Sequence, residues 1–233
     1  MESNQKLGQA ASTVGAMTII SRLLGFLRDL VIAMQFGATS AADAFFVAFR
    51  IPNVQRKILS EGAVSAAFIP VFSEIKNQKG EKYAWKVTAN LFNILLMVLI
   101  TTSLGLALFA PYIIMVFAPG FIPTPEKFDL TVLLTQLMAP YLLFIGLAVF
   151  FMGILNTYNI FALPAITPAI LNIFMILGAL MISPQLDQPI IGLSIGVIAG
   201  GFLQFIIQVP SVYRCGFKLV PSIEWKNTEA LRI

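Results

Sequence analysis

Apolar residues run along this chain in blocks too long for the core of a soluble domain. A membrane-crossing helix needs about 20 mostly apolar residues. Six stretches reach that length, at about 10–36, 41–59, 87–109, 131–155, 164–182 and 190–212, the third with an extension to Phe117 past Pro111. Between the second and third, 63–72 offers a shorter apolar run around Pro70, which reads as a helix lying at the membrane interface. The connections carry strong breakers: Phe36-Gly37-Ala38, Ala118-Pro119-Gly120-Phe121 and Ser183-Pro184 before Asp187-Gln188-Pro189. The pattern predicts an all-α, polytopic membrane protein of about six transmembrane helices forming one lobe over 1–217. Residues 218–233, with Trp225 and Lys226, read as a polar exit from the membrane.

Composition sharpens this. The hydrophobic share is 58% and the charged share 11%, with a mean hydropathy of +0.87, so the bilayer is the expected solvent. No cleavable signal peptide is visible. With no histidine and one cysteine, Cys215, the sequence offers no disulfide, Cys/His metal site or Ser-His or Cys-His pair, and neither an enzyme nor a cofactor is expected. The net charge of +4 does not point to nucleic acid, because its cations form no stripe interleaved with aromatics. Lys6, Lys76, Lys79, Lys82, Lys86, Arg214, Lys218, Lys226 and Arg232 fall in loops on one side, against Lys127 on the other. The positive-inside rule then puts both termini in the cytoplasm.

Five cations remain: Arg22, Arg28, Arg50, Arg56 and Lys57, accompanied by Asp29, Asp43 and Glu61. All lie in or beside the first two helices, where a charge at mid-membrane costs at least about 2.5–3.5 kcal/mol. At about 1.5 Å per residue, Arg22 sits roughly 12 Å and Arg28 roughly 21 Å from an entry near Val14; Arg50 and Arg56 sit roughly 13 and 22 Å from the opposite surface. Asp29 shares the face of Arg22, and Asp43, Arg50 and Lys57 recur by sevens on one face. Snorkelling or mutual neutralisation is an equal alternative for Lys57, Arg50 and Asp43. Arg22 and Arg28 are too far from a terminus for that, and are expected to line a wet cavity of net positive charge, suited to an anion such as phosphate. Gly25 either lets the first helix bend or packs closely against a neighbour. Pro52 kinks the second and frees a carbonyl, which Asn53 can satisfy unless it faces the cavity. Glu61-Gly62 reads as the end of the second helix, and Asn156 and Asn172 as polar contacts between helices.

The run Ser21-Arg22-Leu23-Leu24-Gly25-Phe26-Leu27-Arg28-Asp29, with Phe36-Gly37-Ala38 and Ala42-Asp43-Ala44-Phe45-Phe46-Val47-Ala48-Phe49-Arg50-Ile51-Pro52-Asn53, resembles the MurJ (MviN) family of lipid II flippases. So do Glu61-Gly62-Ala63, Ala67-Phe68-Ile69-Pro70-Val71-Phe72, Ala118-Pro119-Gly120-Phe121, Ile154-Leu155-Asn156-Thr157-Tyr158-Asn159, the run from Pro164 to Asn172, and Gly200-Gly201-Phe202-Leu203-Gln204 through Pro210. The resemblance implies a two-lobed, multidrug and oligosaccharidyl-lipid exporter-like fold. It also implies alternating access that carries lipid-linked peptidoglycan precursor from the inner to the outer leaflet of the bacterial cytoplasmic membrane.

Residue by residue, the resemblance makes Arg22, Arg28 and Arg56 cavity arginines, Asp29 and Asp43 their acidic partners, and Ser21 and Asn53 further cavity positions. Lys57 stands where members often have arginine, so charge is kept and the bidentate fork is lost. The chain then reads as an N-terminal lobe with a cytoplasmic tail leading to a second lobe. Its expected partners are lipid II and membrane lipids. The rival readings are an exporter of another anionic oligosaccharide lipid and a non-transporting membrane scaffold.

Overall fold

A computed structural model describes residues 2–58 and 68–220, without side-chain detail at 2–11, 13 and 58. The expected end of the second helix at Glu61-Gly62, the first part of the interfacial run, and Trp225, Lys226 and Arg232 lie outside the described residues. Among those described, every regular element is helical: α1 (Glu2–Phe36), α2 (Ser40–Ile58), α3 (Ile69–Lys79), α4 (Glu81–Leu108), α5 (Ala110–Phe117), α6 (Pro125–Thr157), α7 (Ala162–Leu177), α8 (Ile190–Ile206) and α9 (Val209–Arg214).

Local chemistry sets the boundaries. α1 stops at Gly37, whose φ of 59° is left-handed. Thr39 caps α2, its hydroxyl accepting the Ala42 N–H at 3.3 Å. The third apolar stretch does not run on to Phe117 as one rod. It breaks at Phe109 (φ −100°, ψ 13°), ahead of Pro111, and resumes as α5. A single 3-10 turn, Pro119–Phe121, then replaces further helix. The short apolar run through Phe72 continues as α3 to Lys79, so its polar second half is helical too.

Four helical stretches are long and apolar enough to cross a membrane: Glu81–Leu108, Pro125–Thr157, Ala162–Gln185 and Ile190–Arg214. The third includes a π-helical segment, Gly178–Ile182, and a 3-10 turn, Ser183–Gln185. α2 falls outside that set, as Asp43, Arg50, Arg56 and Lys57 lower its apolarity. α6 is the axle of the lobe, packing against α2, α4 and α8, while α7 lies between α1 and α8. On one side of it Phe68, Phe72, Phe92, Phe150, Phe151 and Phe217 form an aromatic core. On the other, Phe45, Leu134, Met138, Tyr141, Met175 and Val197 join α2, α6, α7 and α8.

Polar side chains tie the apolar helices together. Ser103 donates to the Ala139 carbonyl at 2.7 Å and Gln208 to the Ala148 carbonyl at 3.2 Å. Pro168 deprives the Pro164 carbonyl of its usual helical donor, and the Thr167 hydroxyl replaces it at 2.8 Å.

Candidate functional site

Arg28 extends from α1 toward α7. Its Nε and Nη2 donate to Asp29 Oδ1 at 3.0 and 2.7 Å, and its Nη1 donates to Asn172 Oδ1 at 2.8 Å. Asn172 is buried, and its Nδ2 donates to the Ser21 carbonyl at 3.1 Å. Gly25 lies against this arrangement: a Cβ there would meet Asn172 Nδ2 at 3.4 Å, an ordinary contact, and α1 runs unbroken through it. A guanidinium has five N–H donors in a fixed fork. These contacts use three and leave one N–H on each terminal nitrogen for something else.

Arg28 opens into a cavity of about 380 Å³ that Arg56 and Asn53 of α2 also line, together with Gly25, Phe49, Tyr141, Pro168, Leu171, Asn172 and Gln204. Among the described residues, the wall therefore holds two guanidiniums and no carboxylate. Asn53 also donates its Nδ2 to the Phe49 carbonyl at 3.1 Å, one residue past the Ala48 carbonyl that Pro52 leaves without its helical donor. Pro52 is buried within α2. Such a wall attracts an anion, and the planar fork of a guanidinium can engage two oxygens of a tetrahedral phosphate.

The other expected residues are spread more widely. Arg22 is exposed and does not line this cavity, and Lys57 is exposed. Ser21 contributes its carbonyl to Asn172, and Asp29 lies at the cavity's edge as the partner of Arg28. Asp43 is elsewhere: it pairs with Lys127 of α6 at 2.7 Å, and Lys127 Nζ stands 4.1 Å above the Phe121 ring. Asp43 and Arg50 share a second cavity of about 370 Å³ with Phe46, Val47 and Phe121. The sequence reading did not foresee Tyr141 or Gln204. Their only signal was a polar group at the centre of an otherwise apolar helix.

A larger cavity, about 970 Å³, lies elsewhere and gathers Lys79, Lys82, Lys86 and Lys218 around Trp85. Beside it Lys76 pairs with Glu81 at 3.1 Å, and the Tyr158 hydroxyl also donates to Glu81. Burial holds the Tyr158 hydroxyl above its ordinary pKa, and the Glu81 carboxylate adds to that. Burial likewise raises the free thiol of Cys215, which suits an inert residue. Exposed lysines around an aromatic floor fit a membrane-surface rim, whereas the arginine cavity holds its charges between helices.

A family model described as "Lipid II flippase MurJ" matches residues 32–233. A probable lipid II flippase MurJ of Buchnera aphidicola (subsp. Acyrthosiphon pisum) is 41% identical over 95% of this chain and 43% of its own length. A lipid II flippase MurJ of Burkholderia cenocepacia is 38% identical over 97% of this chain and 43% of its own. The solved structure of a lipid II flippase MurJ in an inward closed conformation superposes with a TM-score of 0.78 at 31% identity, covering 90% of this chain and 43% of that one. The chain thus spans under half the length of these relatives.

Proposed function

Because the chain belongs to the MurJ family of lipid II flippases, a family of transporters rather than enzymes, we propose that it forms the first of two lobes that move lipid II across the inner membrane of bacteria. Arg28 and Arg56 hold the pyrophosphate of the lipid carrier, and the polar head crosses in the wet space between lobes while the polyprenyl tail stays in lipid. Rocking of two lobes about that site exposes it to each leaflet in turn. α1 and α2 are the two further spans, their charges facing the other lobe rather than lipid, with Arg22 and Lys57 completing the basic wall. Gly25 and Pro52 give these helices the freedom to bend. Both termini lie in the cytoplasm, on the side of the Lys79–Lys218 cluster.

The observation that carries this reading is the cavity itself, with two guanidiniums from different helices, no carboxylate among the described residues of its wall, and two Arg28 donors left over. Growth rescue in bacteria depleted of their own flippase tests it. The expected result is rescue when this chain is co-expressed with the remaining half of a full-length relative, abolished by Arg28→Ala. Rescue that survives loss of Arg22, Arg28 and Arg56 together would rule out the phosphate-cavity mechanism.

A further inference from the structure

Two side chains in the wall of the arginine cavity are built for a ligand that is not a phosphate. Tyr141 is 0% exposed and Gln204 2% exposed, and both line the cavity. The Tyr141 hydroxyl and the Gln204 Oε1 have no hydrogen-bond partner among the described residues. A buried donor and a buried acceptor left unmade are a standing cost to the lobe. Neither is a loose rotamer. Gln204 is held by its Nε2, which donates to the Thr167 carbonyl at 2.7 Å, and that bond leaves Oε1 as the unmade end. The Tyr141 ring lies against Gly201, where a Cβ would sit 2.3 Å from Cδ2, and near Phe49, with ring centroids 5.9 Å apart. The hydroxyl also lies within the electrostatic reach of Arg56 and Arg28.

We infer that Tyr141 and Gln204 form a subsite for a neutral group carrying both a hydrogen-bond acceptor and a donor, such as a sugar hydroxyl or an amide, attached next to the phosphate that the arginines hold. The acceptor takes the Tyr141 O–H and the donor serves Gln204 Oε1. This inference rests on the proposed phosphate role of Arg28 and Arg56. Both oxygens are buried in this state, so a side chain of the cavity wall must shift for the entering group to reach them. Discrimination follows from the geometry: a carrier with bare pyrophosphate satisfies the arginines and leaves both oxygens unmade, whereas a glycosylated one satisfies all of them.

The experiment measures binding of two probes, polyprenyl pyrophosphate and the same lipid bearing an amino-sugar disaccharide, to the purified chain in lipid nanodiscs. Wild type is compared with Tyr141→Phe and Arg28→Ala. Tyr141→Phe removes only an unsatisfied hydroxyl, so thermal stability should hold or rise. Affinity for the glycosylated lipid should fall about tenfold, the worth of one hydrogen bond, with bare pyrophosphate binding unchanged. Equal affinity of Tyr141→Phe and wild type for the glycosylated lipid, or an equal loss on both lipids, would overturn the subsite. A bridging water as the sole partner of the two oxygens gives the first of those results. Failure of the underlying phosphate reading looks different: Arg28→Ala would then leave both lipids bound as before.

Discussion

Asn172 decides how firmly Arg28 is aimed. Its Oδ1 takes one guanidinium N–H, and its own amide is fixed by the Ser21 carbonyl, so α7 sets the position of a charge that α1 carries. Asn172→Ala leaves Asp29, an exposed neighbour on the same helix, as the remaining anchor. A lost hydrogen bond to a charged group is worth about 1.5–3 kcal/mol, so affinity for a pyrophosphate lipid should fall about tenfold or more, as read by titration. Arg28→Lys keeps the charge but not the fork and should be intermediate between wild type and Arg28→Ala in that titration. Arg28 was legible in the sequence because a charge deep in a membrane helix has few alternatives in hydrocarbon, and Arg56 through the resemblance to the flippase family. Arg22 shares the sequence signature of Arg28, yet helical rotation turns it to an exposed position. Tyr141 and Gln204 were not legible, since a lone tyrosine or glutamine in an apolar helix as often ties helices together as meets a ligand.

The seam between α7 and α8 is made by missing side chains. A Cβ on Gly196 would sit 2.4 Å from the Phe174 carbonyl oxygen, and one on Gly178 would sit 2.5 Å from that of Gly192. Backbone cannot retreat as a side-chain tip can, so Gly196→Ala should lower stability by about 1–3 kcal/mol. Thermal unfolding of the purified chain measures this, with Gly105→Ala, which meets nothing within 4 Å, as the neutral control. Between α2 and α6, Asp43 and Lys127 form an ion pair at 2.7 Å, with Lys127 only 16% exposed. Asp43→Lys should destabilise the lobe by roughly 1 kcal/mol, and adding Lys127→Asp should restore it. The apolar blocks foretold where helices lie because a span requires a minimum length. The break at Phe109 falls at the bound of the third apolar stretch, ahead of Pro111, whereas the π segment at Gly178–Ile182 escaped because it forms where α8 approaches closely. The sevenfold spacing of Asp43, Arg50 and Lys57 marks a helical face without saying what meets it, and Lys127, far along the chain, is what meets Asp43.

At the scale of the whole molecule, the lobe is a packed body around α6 whose cavity arginines lie on its first two helices. The chain covers 43% of the length of its Buchnera and Burkholderia relatives. The resemblance to the flippase family was legible because the charged motifs of α1 and α2 are rare in any membrane helix. The central claim is that Arg28 and Arg56 together recognise pyrophosphate. It is tested most directly by comparing the affinities of the nanodisc-embedded chain for polyprenyl pyrophosphate and for the uncharged polyprenol of equal length, in wild type and in the Arg28→Ala/Arg56→Ala double variant. The expected result is a strong preference of the wild type for the pyrophosphate, lost in a double variant that still folds. Equal affinity of the wild type for both lipids, or a preference that persists in the double variant, would contradict it.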